Sequence, residues 1–131
     1  MHAFLVELPN KPGALADIAE ALGKKGINIE NIAGAACGDS GRVAIMTADE
    51  AGTRAAIAAA GLKSQELETT EVALAHQPGS LGQACRRLAD AGVNVEAILP
   101  SGMSGGQVTV SFVTSNPAKT KEILATAAAA R

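Results

Sequence analysis

Aromatic residues are nearly missing from this chain: it has Phe4 and Phe112, and no Trp or Tyr. Single-stranded nucleic acid is usually held by stacking its bases on aromatic rings, and that mode of binding has almost nothing to work with here. Basic clusters are missing too. The longest are the pairs Lys24-Lys25 and Arg86-Arg87, and the formal net charge is −2. Nucleic acid is therefore not an expected partner. Only two cysteines occur, Cys37 and Cys85, with no CxxC, which excludes a disulfide framework. His2 and His76 do not join those cysteines at a metal-ligand spacing, and no P-loop or GxGxxG is present, so no metal or cofactor is expected. Met1-His2-Ala3-Phe4 is not a basic-then-apolar leader, and no apolar run reaches the ~20 residues of a membrane span. The expected setting is the cytoplasm, with no membrane partner.

What is present is aliphatic. Hydrophobic residues make up 47% of the 131 residues and charged residues 18%, below the globular average of about 25%. This is enough apolar material for a core, and too much for a disordered chain. That core must be built from Ala, Val, Ile and Leu.

A repeat organises the rest. Residues 12–32, PGALADIAEALGKKGINIENI, align with residues 78–98, PGSLGQACRRLADAGVNVEAI, at a constant offset of 66. Eight of the 21 positions are identical, from Pro12/Pro78 and Gly13/Gly79 to Asn28/Asn94, Glu30/Glu96 and Ile32/Ile98. Chance gives roughly one or two at average composition. Val43–Thr47 then pairs with Val110–Thr114 at an offset of 67, the extra residue falling in the Gly-rich stretch 101–106. Two copies are too few for a solenoid, so a duplicated compact unit is expected, with units at 1–68 and 69–131.

Each copy reads as alternating element types. Phe4, Val6 and Leu8 alternate with Leu5 and Glu7 as in a strand. Leu15, Ile18, Ala19 and Leu22 follow at helical spacing, predicting a helix over 12–24 opened by Pro12. Ile27, Ile29 and Ile32 predict a second strand, ending at Cys37 before the turn Gly38–Gly41, with a third strand over 43–48. A helix over 49–60 capped by Asp49 and a strand over 62–68 complete β-α-β-β-α-β, the ferredoxin-like order. The second copy gives strand 70–76, helix 78–90, strands 93–99 and 107–114, and helix 117–129 capped by Asn116. It lacks a clear fourth strand. The expected fold class is α+β: two ferredoxin-like units, each an antiparallel sheet covered on one face by helices. An unfilled sheet edge invites pairing with another chain, so a homodimer is expected.

The loop after the first strand carries the chemistry. A helix start presents free N–H groups and the positive end of its dipole, which suits a carboxylate. Gly13 and Gly79 carry no Cβ to obstruct a ligand, and Asn10 and His76 stand just ahead with side-chain hydrogen-bonding groups. Pro-Gly after a strand is also ordinary turn chemistry; its repetition, with Asn28 and Asn94 at the same downstream distance, favours a binding role. Glu30 and Glu96 read as solvated carboxylates, and Cys85, equivalent to Ala19, as core packing.

These features together resemble the ACT domain, a ferredoxin-like regulatory module of amino-acid metabolism. The matching segments are N-x-P-G-x-L at 10–15, H-x-P-G-x-L at 76–81, and G-[IV]-N-[IV]-E at 26–30 and 92–96. The resemblance implies paired domains that bind an amino acid at their seam, between the loop and helix start of one and the second-strand Asn of the other. It places one site at Asn10, Pro12, Gly13, Ala14 and Leu15 with Asn94, and another at His76, Pro78, Gly79, Ser80 and Leu81 with Asn28. His76 departs from the Asn found at the corresponding place in the first copy. The implied function is an amino-acid sensor and not an enzyme, since no nucleophile–base set converges. The alternative is a regulatory or scaffolding subunit that docks an enzyme of amino-acid metabolism.

Overall fold

In the computed structural model, which describes residues 1–129, the alternation at the chain start forms β1 (His2–Pro9), with Phe4 and Val6 buried and Glu7 exposed. α1 (Ala14–Lys24), β2 (Ile29–Cys37), β3 (Ser40–Thr47), α2 (Glu50–Ala59) and β4 (Ser64–Glu68) follow. The sheet order is β2-β3-β1-β4. β1 and β2 both pair antiparallel with β3, placing Phe4 opposite Ile45 and Ile32 opposite the same Ile45. The second set is β5 (Thr70–Ala75), α3 (Ser80–Asp90), β6 (Val95–Ser104), β7 (Gln107–Thr114) and α4 (Pro117–Ala129), with a three-stranded sheet in the order β5-β7-β6. The chain divides into compact units Met1–Leu67 and Glu68–Arg131. One residue, Thr69, separates β4 from β5. Among the described residues no β4 counterpart flanks β5 in its sheet.

Each unit is α+β, with helices on one face of an antiparallel sheet. In the first, Ile18 and Leu22 of α1 and Ile57 of α2 pack on Phe4, Val6, Val43 and Ile45. In the second, Ala84 and Leu88 of α3 and Leu124 of α4 pack on Val72, Leu74, Val110 and Phe112. Burying each Leu or Ile side chain contributes roughly 1.5–3 kcal/mol, so these rows hold the helices down.

The expected helix starts are late by two residues. α1 and α3 begin at Ala14 and Ser80, not at Pro12 and Pro78, because Gly13 and Gly79 take φ of 92° and 93°. That left-handed backbone cannot continue into a right-handed helix and suits glycine alone. The helix ends repeat as well. Ile27 N donates to Leu22 O and Gly26 N to Gly23 O, with Val93, Leu88, Gly92 and Ala89 in the same roles in α3. This closing motif, with Ile27 packed against Leu22 in the core, keeps residues 25–28 out of the strand. β2 and β6 therefore start at Ile29 and Val95, and Asn28 and Asn94 precede the strands they were expected to lie within.

Candidate functional site

Beside the start of α1 lies a groove of about 410 Å³, lined among others by Asn10, Lys11, Ala14, Leu15, Ile32 and Gly34. Its floor is the part of the sheet that α1 leaves uncovered. Gly34 faces Val43 and Ile32 faces Ile45 across the β2–β3 pair, so they share the face of the core residues. A Cβ on Gly34 would sit 2.9 Å from the carbonyl oxygen of Arg42, which is why the floor carries no side chain there. Arg42 points its guanidinium elsewhere, to Glu7 at 3.2 Å.

The second unit holds a corresponding groove of about 360 Å³, with His76, Gln77, Ser80, Leu81, Ile98 and Pro100 in its lining. In both, the loop is latched to the facing hairpin: Asn10 N donates to Asp39 O and His76 N to Gly106 O. Only the first adds a side-chain latch, Asn10 Nδ2 to Gly38 O at 2.9 Å. That bond uses one of the two amide hydrogens of Asn10, leaving the other and the acceptor oxygen.

Two properties set these grooves apart from the rest of the surface. Their rims hold Leu15 and Ile32 at 50% and 43% exposure, and Leu81 and Ile98 at 47% and 36%. These are corresponding pairs in the two copies. The buried face of α1 is Ala14, Ile18 and Leu22, and Leu15 stands outside it. The other property is the helix start. α2 is capped by Asp49, whose carboxylate accepts from Gly52 N at 2.8 Å, and α4 by Asn116, which accepts from Lys119 N. α1 and α3 have no side-chain cap. Their first turns offer main-chain N–H groups to whatever occupies the groove.

The predicted residues separate accordingly. Asn10, Ala14 and Leu15 line the first groove, and His76, Ser80 and Leu81 the second. Pro12, Gly13, Pro78 and Gly79 shape the loops without being among the lining residues, and Asn28 and Asn94 are exposed and line neither. Asn94 exchanges main-chain hydrogen bonds with Ser115, its N–H going to Ser115 Oγ and its carbonyl accepting from Ser115 N. The sequence reading missed Gly34, Pro100, Ile32 and Ile98. The identity of Ile32 and Ile98 in the repeat was the available signal.

A charged cluster lies elsewhere in the first unit. The main-chain N of His2 donates to Glu50, and its Nδ1 lies 2.8 Å from Glu50 and 3.6 Å from Glu66. Arg54 closes a two-pronged contact on Glu66 at 2.8 and 2.6 Å. The His2 hydrogen bonds hold the Glu50 carboxyl below its ordinary value, and Arg54 does the same for Glu66. The three side chains bring ligand atoms within 4.8 Å of one another, a juxtaposition that spacing along the chain did not reveal. Every one of those atoms already has a protein partner. The cluster is an ion-pair clasp joining the chain start to α2 and β4. Cys37 is exposed, and Cys85 packs against the second core as expected.

The grooves carry few acid–base groups. Neither is lined by Asp, Glu or Cys, and among the described residues no hydrogen bond joins His76 to Ser80. No described helix is long and apolar enough to cross a membrane.

The family profile for the ACT domain matches residues 2–60. Among curated proteins, no sequence relative matches the chain. Similar solved structures include the protein BT0572 from Bacteroides thetaiotaomicron, at TM-score 0.78 and 22% identity, covering 95% of this chain and 86% of that one. The regulatory subunit of aspartate kinase from Thermus thermophilus superposes at 0.66 with 19% identity over 96% of this chain and 91% of that one. That from Thermus flavus does so at 0.68 with 21% identity, over 98% and 91%.

Proposed function

We propose that this chain, whose residues 2–60 match the ACT-domain profile and whose second unit repeats the topology of the first apart from its fourth strand, is a regulatory sensor that binds a free amino acid. The observation that carries this reading is the pair of corresponding apolar rims, Leu15 with Ile32 and Leu81 with Ile98, exposed beside helix starts that lack a side-chain cap. Exposed apolar side chains in a concave surface mark a binding site. An uncapped helix start receives a carboxylate, and the apolar rim receives an aliphatic side chain. The output is a change of assembly or of a partner's state, which requires that the ligand favour one state over the other.

A thermal-shift screen of the full chain against the twenty amino acids tests this. A ligand confined to the folded state adds RT ln(1 + [L]/Kd), about 2.7 kcal/mol at a hundredfold excess over Kd. The expected result is a shift with one or a few amino acids that is lost in Asn10→Ala or Leu15→Ala. A well-folded chain that shifts with none of them ends the sensor reading.

A second reading is a subunit that docks an enzyme of amino-acid metabolism, with vestigial grooves. Its support is the extent of one fold match. The chain spans nearly the whole of a structure that is itself a regulatory subunit of an aspartate kinase. Co-purification with an enzyme, with no response to amino acids, is the outcome that selects it.

A further inference from the structure

Resting on the sensor reading, we infer that the two grooves are unequal: the first binds an amino acid with an uncharged or acidic side chain, and the second does not bind at comparable concentration. The repeat makes the comparison position by position. At the offset of 66, Lys11 is replaced by Gln77 and Gly34 by Pro100. Each exchange removes something a polar ligand needs.

Two positive side chains, Lys11 and Arg42, line the first groove, and Lys11 is the one left for a ligand. It lies in the lining and is exposed, and none of the described ion pairs involves it, whereas the Arg42 guanidinium is turned to Glu7. Neither groove is lined by a carboxylate. A ligand carboxylate is attracted by Lys11, a basic side chain is repelled by it, and nothing in the lining compensates a second positive charge. The second groove has Gln77 in that place, with His76 and Ser80 as its other polar side chains beside Leu74, Ile98, Val108 and Val110.

Gly34 lies on an edge strand with an N–H and no side chain, so a ligand reaches the main chain of β2. Pro100 lies on the corresponding edge strand β6, has no N–H, and fills the floor with its ring. The register of β6 also shifts between Pro100 and Gly102, whereas β2 runs without a shift from Asn31 to Cys37. The second groove therefore lacks the Lys11 charge of the first and has a ring where the first has bare main chain.

The test is a titration of the isotope-labelled full chain, followed by amide chemical shifts, with each of the twenty amino acids as probe. The expected result is movement of Lys11, Ala14, Leu15 and Gly34 at concentrations that leave Gln77, Ser80 and Leu81 unmoved, with Lys and Arg among the weakest ligands. In Lys11→Gln the tightest ligand weakens about two- to fivefold, the range of an exposed charge interaction, and its advantage over Lys shrinks. The exposed position of Lys11 leaves the fold of that variant intact. Parallel movement of both grooves overturns the inference, as does a basic amino acid as the tightest ligand or an unchanged preference in Lys11→Gln. A chain in which no amide moves with any probe fails at the sensor reading itself, a different result from binding in the wrong groove.

Discussion

Thr47 and Thr53 share a hydrogen bond of 2.7 Å between their hydroxyls, fully buried where β3 hands over to α2. Both hydroxyls also reach the carbonyl of Asp49, the residue that caps the helix. Thr114 and Thr120 repeat the arrangement at 2.6 Å in the second unit, with Thr120 on the carbonyl of Asn116. A strand end, a cap and a first helical turn are tied by one polar knot in each copy. Thr53→Val keeps the shape and leaves a buried hydroxyl with one partner fewer. It is expected to lower stability by about 1–3 kcal/mol, and Thr120→Val by a similar amount. Urea unfolding checks this: the midpoint falls while the slope stays constant.

Gly13 and Gly79 give a prediction of a different kind. A Cβ at either meets nothing within 4 Å, so replacement by alanine causes no clash. The cost is the left-handed backbone alone, roughly 1–2 kcal/mol. Gly34→Ala is the opposite case, with no positive φ and a clash with main-chain atoms of β3. D-alanine separates the two mechanisms. At position 13 it is expected to restore the stability that L-alanine removes, measured by thermal unfolding of semisynthetic chains.

The clasp of His2, Glu50, Glu66 and Arg54 makes stability depend on acidity. Both carboxyls are held below the ordinary 4.5, Glu50 chiefly by the main-chain N–H of His2 and Glu66 by Arg54. A lowered carboxyl binds its proton more readily in the unfolded chain. Its contribution is therefore present above pH 4.5 and is lost as the pH falls through the folded-state value. The groups are partly exposed, so the contribution is modest. Unfolding midpoints measured from about pH 5 to pH 3 are expected to fall, and to fall less steeply in Glu50→Gln.

Much of this fold is legible in the sequence because the pattern is written twice. The offset of 66 fixes equivalent strands and helices, and Asp49 and Asn116 cap the helices they precede. Even the two aromatic residues obey it in a hidden way. Phe4 faces Ile45 across β1 and β3, and Phe112 faces Thr70 across β5 and β7. The same cross-strand pair holds one ring in each unit, on opposite strands, a complementarity that residue-by-residue alignment of the copies conceals. The threonine knots and the clasp were not legible, because their partners meet only after strands and helices have packed. His2 and Glu50 are 48 residues apart. The exposure of Leu15 was not legible in helical spacing alone, because residues 15, 18 and 22 share one stripe whose edge the sequence does not mark.

Two positions of that stripe, one leucine and one isoleucine, give the sharpest test of the groove. Leu15 and Ile18 are three residues apart on α1 and look alike as apolar helix positions, yet Leu15 is 50% exposed and Ile18 is 1% exposed. Ile18→Ala removes buried contacts with Phe4 and its neighbours and is expected to cost about 2–5 kcal/mol. Leu15→Ala removes side-chain surface that already faces water and is expected to change stability by within about 0.5 kcal/mol. If the groove is the amino-acid site, the order reverses in a ligand assay. Leu15→Ala loses the thermal shift from a well-folded chain, while Ile18→Ala keeps the shift under conditions where it remains folded. Leu81→Ala in the second unit is the matched control, with the same exposed leucine on the corresponding rim, beside Gln77 and Pro100. Its stability is expected to follow Leu15→Ala and its ligand response to follow the unaltered chain. Equal loss of response at both leucines makes the grooves equivalent, and an unchanged response at Leu15 moves the ligand out of the first groove altogether.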